Sequence, residues 1–233
     1  MLLALIMVSS VQGQTSAVTS HAAIDCKKDK SLSLCEISTT NGTAALLRQA
    51  KSPTIAEPTW LAQQRADRKI EITYTVASRG NIVSNLDEFA SLAQSTLNDP
   101  RGWSRLGATF KRVTGAADFT LVLATADKMT SFSAMGCDAT YSCQVGSFVI
   151  INETRWLNAT PSWNKAKGSL RDYRHMVVNH ETGHWLGHSH QSCRAPGSAA
   201  PVMQQQSIDL QGCAFNPWPL PFELSSTRLG VTL

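Results

Sequence analysis

Long apolar runs are scarce in this 233-residue chain. The most prominent, Leu2–Val8, falls far short of the ~20 residues a helix needs to cross a bilayer, so no transmembrane span is expected. Charge is scarce too. Asp, Glu, Lys and Arg make up 16% of the residues, the net charge is +4, and no extended Lys/Arg-rich run occurs. That removes the pattern of nucleic-acid or anionic-membrane binding. The six cysteines contain no C-x-x-C pair, which argues against cysteine ligation of a metal.

What those cysteines do suggest is an oxidising compartment. Fifteen pairings are possible in principle. Local spacing favours Cys26–Cys35, Cys137–Cys143 and Cys193–Cys213. The N-terminus agrees with export. The apolar Leu2–Val8 is followed by small residues that offer a cleavage point after Gly13, so 1–13 is read as a signal peptide. No Lys or Arg precedes the apolar run, so that signal is read as incomplete at its start. The expected location is secreted or extracytoplasmic, attachment to the cell envelope included. Residues 14–68 are rich in Ser, Thr and Ala without periodicity and read as a flexible arm or linker, with a propeptide as the minority alternative. Residues 69–233 are left as one ordered domain, long enough to bury a core.

The run His180-Glu181-Thr182-Gly183-His184-Trp185-Leu186-Gly187-His188-Ser189-His190 names a chemistry. On a helix His180 and His184 lie about 40° apart in azimuth and about 6 Å apart along the axis, so both imidazoles can reach one Zn²⁺. Glu181 sits about 100° round the same helix, where it can hold a water but cannot be a third ligand on that face. A continuing helix would carry His190 out of reach. Gly187 can take positive φ and end the helix sharply, bringing His190 in from the side. Three protein ligands leave the fourth position open, which marks a catalytic zinc site rather than a closed structural one. Zinc acidifies water and polarises carbonyls, and Glu181 in that position is the general base of peptide-bond hydrolysis. His188 breaks the ligand spacing and reads as a neighbour.

The motif H-E-x-x-H-x-x-G-x-x-H resembles the zinc signature of the metzincin metallopeptidases. That resemblance implies a methionine turn beneath the zinc, for which Met203 in Pro201-Val202-Met203-Gln204 is the match. Some metzincins place a tyrosine two residues further on; here Gln205 stands there, so no fifth protein ligand is implied. From about Ile72 to Trp218 the chain is also similar to a little-characterised family of secreted actinobacterial zincin-like proteins of unknown function. Arg101-Gly102-Trp103, Arg155-Trp156 and Asn216-Pro217-Trp218-Pro219 carry that likeness.

Periodicity supplies the elements. Ile70, Ile72, Tyr74 and Val76 alternate as in a strand, and Leu86, Phe89, Ala90, Ala93 and Leu97 recur at helical spacing up to Asp99-Pro100. Strands are expected at Ala108–Val113, Phe119–Ala124, Met129–Ala134 and Ser147–Asn152, and a helix at Leu170–Leu186. The fold class is α+β. The resemblance implies a metzincin-like zincin: a twisted, mixed five-stranded sheet, a backing helix, an active-site helix and an irregular C-terminal subdomain. It also implies an antiparallel edge strand lining the cleft, placed within Met129–Val145.

Other candidates are weaker. Trp103, Trp156 and Trp163 suit core or rim packing better than a carbohydrate platform. Phe215 and Trp218 are candidate walls of a side-chain pocket, with plain packing at least as good a reading. Asp172 and Asp209 are candidates to orient a ligand histidine. The expected function is a secreted, monomeric zinc endopeptidase acting on a protein or peptide substrate. The alternatives are a binding or envelope protein with a non-catalytic zinc site, and a zinc hydrolase of a cell-wall peptide amide. Glu181 separates catalysis from binding, because a purely structural site does not need it.

Overall fold

The computed structural model describes residues 69–232. The arm, the expected signal peptide and Cys26–Cys35 lie outside the described residues.

Alternation of apolar side chains makes β1 (Ile70–Arg79). Helix α1 (Leu86–Leu97) follows, capped by Asn85, whose side chain accepts from the backbone N–H of Asp87 and Glu88 at 2.9 and 3.1 Å. Two strands come next, β2 (Ala108–Arg112) and β3 (Phe119–Ala124). The hairpin β4 (Cys143–Val145) and β5 (Phe148–Asn152) completes a five-stranded sheet in the order β2-β1-β3-β5-β4. Its pairings are parallel except for β4, which runs antiparallel to β5 at one edge. The mixed five-stranded sheet and the antiparallel edge within Met129–Val145 are both as expected.

Side-chain alternation on β3 and β5 explains why they sit inside. Leu121, Leu123, Val149 and Ile151 join the main core, while Val122 and Ile150 join a smaller cluster with Met129, Cys137 and Cys143. Strands covered on both faces read as unbroken apolar runs, as these do.

One expected strand is absent. Residues Ala126–Ser131 form a 3-10 helix, and Met129 is buried from it into the smaller cluster. Apolar residues are needed there, but they cover a sheet face rather than extend the sheet. Two short helices were not expected: α2 (Glu153–Asn158) and α3 (Pro161–Lys165). At six and five residues they are too short for a 3.6-residue period to declare itself.

Helix α4 (Leu170–Trp185) packs on α1, β5 and α2. Ser169 caps it, accepting from Asp172 N at 2.9 Å. Trp103, Trp156 and Trp163 are buried in the main core, which rules out a sugar platform on their faces. Beyond α4 the chain has isolated bridges, turns and a 3-10 helix at Pro221–Glu223. No helix among the described residues is long and apolar enough to cross a membrane.

Candidate active site

Helix α4 presents His180, Glu181 and His184 from its last turns. Its end is a Schellman motif. Gly187 has φ +101°, its N–H reaches His184 O at 3.0 Å, and His188 N–H reaches Gly183 O at 3.0 Å. The same turn brings the His188 carbonyl to His184, whose Nδ1 lies 2.8 Å from it. His190 then arrives beside His184, their Nε2 atoms 3.1 Å apart.

The three imidazoles converge. One ring nitrogen from each of His180, His184 and His190 lies within 4.8 Å of the other two. Ligands about 2 Å from a tetrahedral ion sit roughly 3.3 Å from one another, so the His184–His190 approach is of the right size. His180 Nδ1 is 2.8 Å from Val202 O. With Nδ1–H donated to a carbonyl, His180 and His184 each keep the Nε2 lone pair for an ion. Burial lowers all three imidazole pKa values, that of His180 to about 3, so the rings are neutral and ligand-competent. The donor set and its hydrogen bonding fit zinc.

Glu181 is buried beside them, and burial pushes its carboxyl up to about 8. A cation among the histidines would oppose that shift. Met203, fully buried, lies against Gly183 of α4. His188 turns away: its Nε2 is 2.8 Å from Ser225 O and its ring stacks on Trp103 at 5.0 Å. It serves the site through its backbone carbonyl.

A cleft of roughly 400 Å³ opens over these groups. Tyr141 and Ser142, Cys143 and Gln144 of β4, Met176 and Val177 of α4, and Gln205 to Ile208 line it. Disulfide Cys137–Cys143 ties down β4, and Cys193–Cys213 spans the segment that contains Met203. Both pairs are those favoured by spacing.

Four weaker candidates are placed elsewhere. Asp172 bonds to Ser169 Oγ at the start of α4, and Asp209 accepts from Gln211 N, so neither orients a ligand histidine; backbone carbonyls do. Phe215 packs on Trp163, and Trp218 lies against His175 with Arg101 over its ring, so neither walls the cleft. The sequence reading missed Glu223, a buried acid whose carboxylate holds the backbone of Val202 and Met203. A lone acid in a Pro-rich tail carries no periodic or motif signal.

Residues 52–221 match the model of a family described as a protein of unknown function, DUF3152. Among solved structures, archaemetzincin from Methanopyrus kandleri is similar at 12% identity, over 66% of this chain and 92% of that one, with a TM-score of 0.40. At that score the likeness carries no argument about chemistry. No curated protein matches. The family match spans most of the chain, and the protein therefore belongs to the DUF3152 family.

Proposed function

We propose that this protein is an exported zinc-dependent endopeptidase. The observation that carries the reading is one cleft holding three convergent, neutral imidazoles and the buried carboxyl of Glu181, bordered by an antiparallel edge strand. Two disulfides among the described residues support an oxidising location.

His180, His184 and His190 would hold the ion. When bound, zinc supplies Lewis acidity towards a carbonyl and towards water. Glu181 accepts a proton from the attacking water and delivers it to the leaving amine. The water oxygen bonds to the carbonyl carbon, the C–N bond breaks, and a carboxylate and an amine result. Strand β4, at the sheet edge, would pair with an extended peptide and hold its scissile bond over the cluster. Met176 and Val177 offer an apolar lining for a side chain.

The test is a peptide library incubated with the zinc-loaded protein, read by mass spectrometry beside Glu181→Ala and a chelated sample. The expected result is cleavage that chelation abolishes and that falls by about 10²–10⁴-fold in Glu181→Ala at unchanged zinc content. Full cleavage by Glu181→Ala overturns the mechanism. Zinc bound with nothing cut points to the binding reading or to a non-protein amide.

A further inference from the structure

Three glutamates are buried among the described residues: Glu153, Glu181 and Glu223. Glu223 lies outside the family match and outside the zinc motif, yet its carboxylate faces the floor of the metal centre. Its Oε2 accepts from Val202 N at 3.0 Å and its Oε1 from Met203 N at 2.9 Å. A third N–H, from Leu220, reaches Oε2 at 2.7 Å and fixes the carboxylate within its own turn.

The two residues it grips each lead to a ligand. Val202 O takes His180 Nδ1 at 2.8 Å. Met203 O takes the N–H of Gln191, the residue after His190, at 3.0 Å. One carboxylate is therefore two links from His180 and, by a separate path, two links from the backbone that delivers His190. A clamp that served only the C-terminal tail would not need to meet both the residue whose carbonyl holds His180 and the residue whose carbonyl holds the backbone next to His190.

We infer that Glu223 is a positioning residue of the metal centre, aligning His180 and His190 through the backbone of Val202 and Met203. The inference rests on the reading of the three histidines as a zinc site, but not on any hydrolysis. A bidentate carboxylate accepts both N–H groups at once, whereas a carboxamide at the same place turns an NH₂ towards one of them. Groups bonded directly to a ligand typically set metal affinity by about 10- to 100-fold, and Glu223 acts one link further out, so its effect lies at or below the lower end.

Glu153 provides a matched control. It is buried and its Oε1 accepts two backbone N–H groups, from Val83 at 2.8 Å and Ser84 at 2.7 Å, but neither leads to a histidine of the cluster. The experiment measures zinc affinity of the full chain by chelator competition, together with metal-free melting temperature, for wild type, Glu223→Gln and Glu153→Gln. Both variants are expected to melt lower, and only Glu223→Gln to bind zinc more weakly, by up to about 10-fold. Wild-type affinity in a folded Glu223→Gln would overturn the inference and leave Glu223 a clamp of the tail. If Glu223→Gln does not fold, Glu223→Asp is read instead. It keeps the charge but is one methylene short, so weaker zinc binding supports the inference and unchanged binding overturns it. Failure of wild type to bind zinc at all would sink the metal reading itself, a distinct result. Absence of peptide cleavage would leave this measurement intact.

Discussion

Met203 occupies the space that a side chain on Gly183 would need: a Cβ at Gly183 would lie 2.3 Å from Met203 Sδ, and 2.9 Å from Trp103. Thr182 and Gly183, the two unspecified positions between the helical histidines, are therefore not equivalent spacers. The methionine floor can close up against α4 because position 183 is bare.

Gly183→Ala sets two effects against each other. Helix propensity alone favours Ala by about 1 kcal/mol. Overpacking a well-filled core costs about 1–3 kcal/mol, and both contacts here are short enough for the upper end. The expected outcome is a net loss of roughly 1–2 kcal/mol in urea unfolding, with weaker zinc binding. The loss should shrink when Met203→Ala is also present. A gain in stability would show that the floor yields easily.

Gly187→Ala should be worse. Its φ of +101° is unfavourable for any side chain, and a Cβ would lie 2.0 Å from Thr227 Oγ1. Gly115 has a similar φ of +98° with nothing within 4 Å, so Gly115→Ala isolates the backbone cost, about 1–2 kcal/mol. Melting temperature should fall further for Gly187→Ala than for Gly115→Ala, and only Gly187→Ala should lose zinc. Equal effects would mean that Thr227 gives way and the helix end survives.

The two disulfides should differ in what they protect. Cys193–Cys213 spans 20 residues and Cys137–Cys143 spans 6. In the chain-entropy model these are worth about 3 and about 2 kcal/mol. Double Cys→Ser variants measured in denaturant should follow that order. Zinc affinity should drop only for the longer loop, which contains Met203.

Alkaline stability follows from Tyr173, whose phenol is pushed up to about 12 by burial, with its bond to Ser207 opposing. The fold favours the neutral phenol, so the unfolded chain gives up its proton first, near pH 10. Stability is fully present below that pH and is lost as pH rises towards about 12. Tyr173→Phe should flatten part of the fall in melting temperature across this window. Tyr74, also raised to about 12 by burial, contributes in the same direction. An unchanged slope in Tyr173→Phe would place the alkaline transition elsewhere.

Where one face of an element is buried, its position could be read. The spacing of Leu86 to Leu97 gave α1 to the residue, and the alternation of Ile70 to Val76 gave the start of β1, which runs three residues further to Arg79. Helix α4, expected at Leu170–Leu186, spans Leu170–Trp185, with a weaker contrast between its faces. Eleven of its sixteen residues are buried, Asn179, His180, Glu181 and Thr182 among them, so no polar face marks it. Its zinc motif located the cluster instead. Met129 misled because a buried apolar residue is needed equally by a strand and by a 3-10 turn that covers a sheet.

The chain alone indicated His180, His184 and His190 as candidate ligands, Glu181 as candidate base and the turn at Gly187, because those depend on distances of a few residues along the chain. It also indicated the two disulfides, whose partners are near in sequence. Tertiary structure decided what holds the histidines still. The carbonyls of Val202 and His188 at the imidazoles, the Glu223 carboxylate behind Val202 and Met203, and the cleft between β4 and Gln205–Ile208 all join segments far apart in the chain or use backbone atoms common to every residue. Backbone groups carry no signature in a sequence, and a contact across 20 or more residues leaves no period to read.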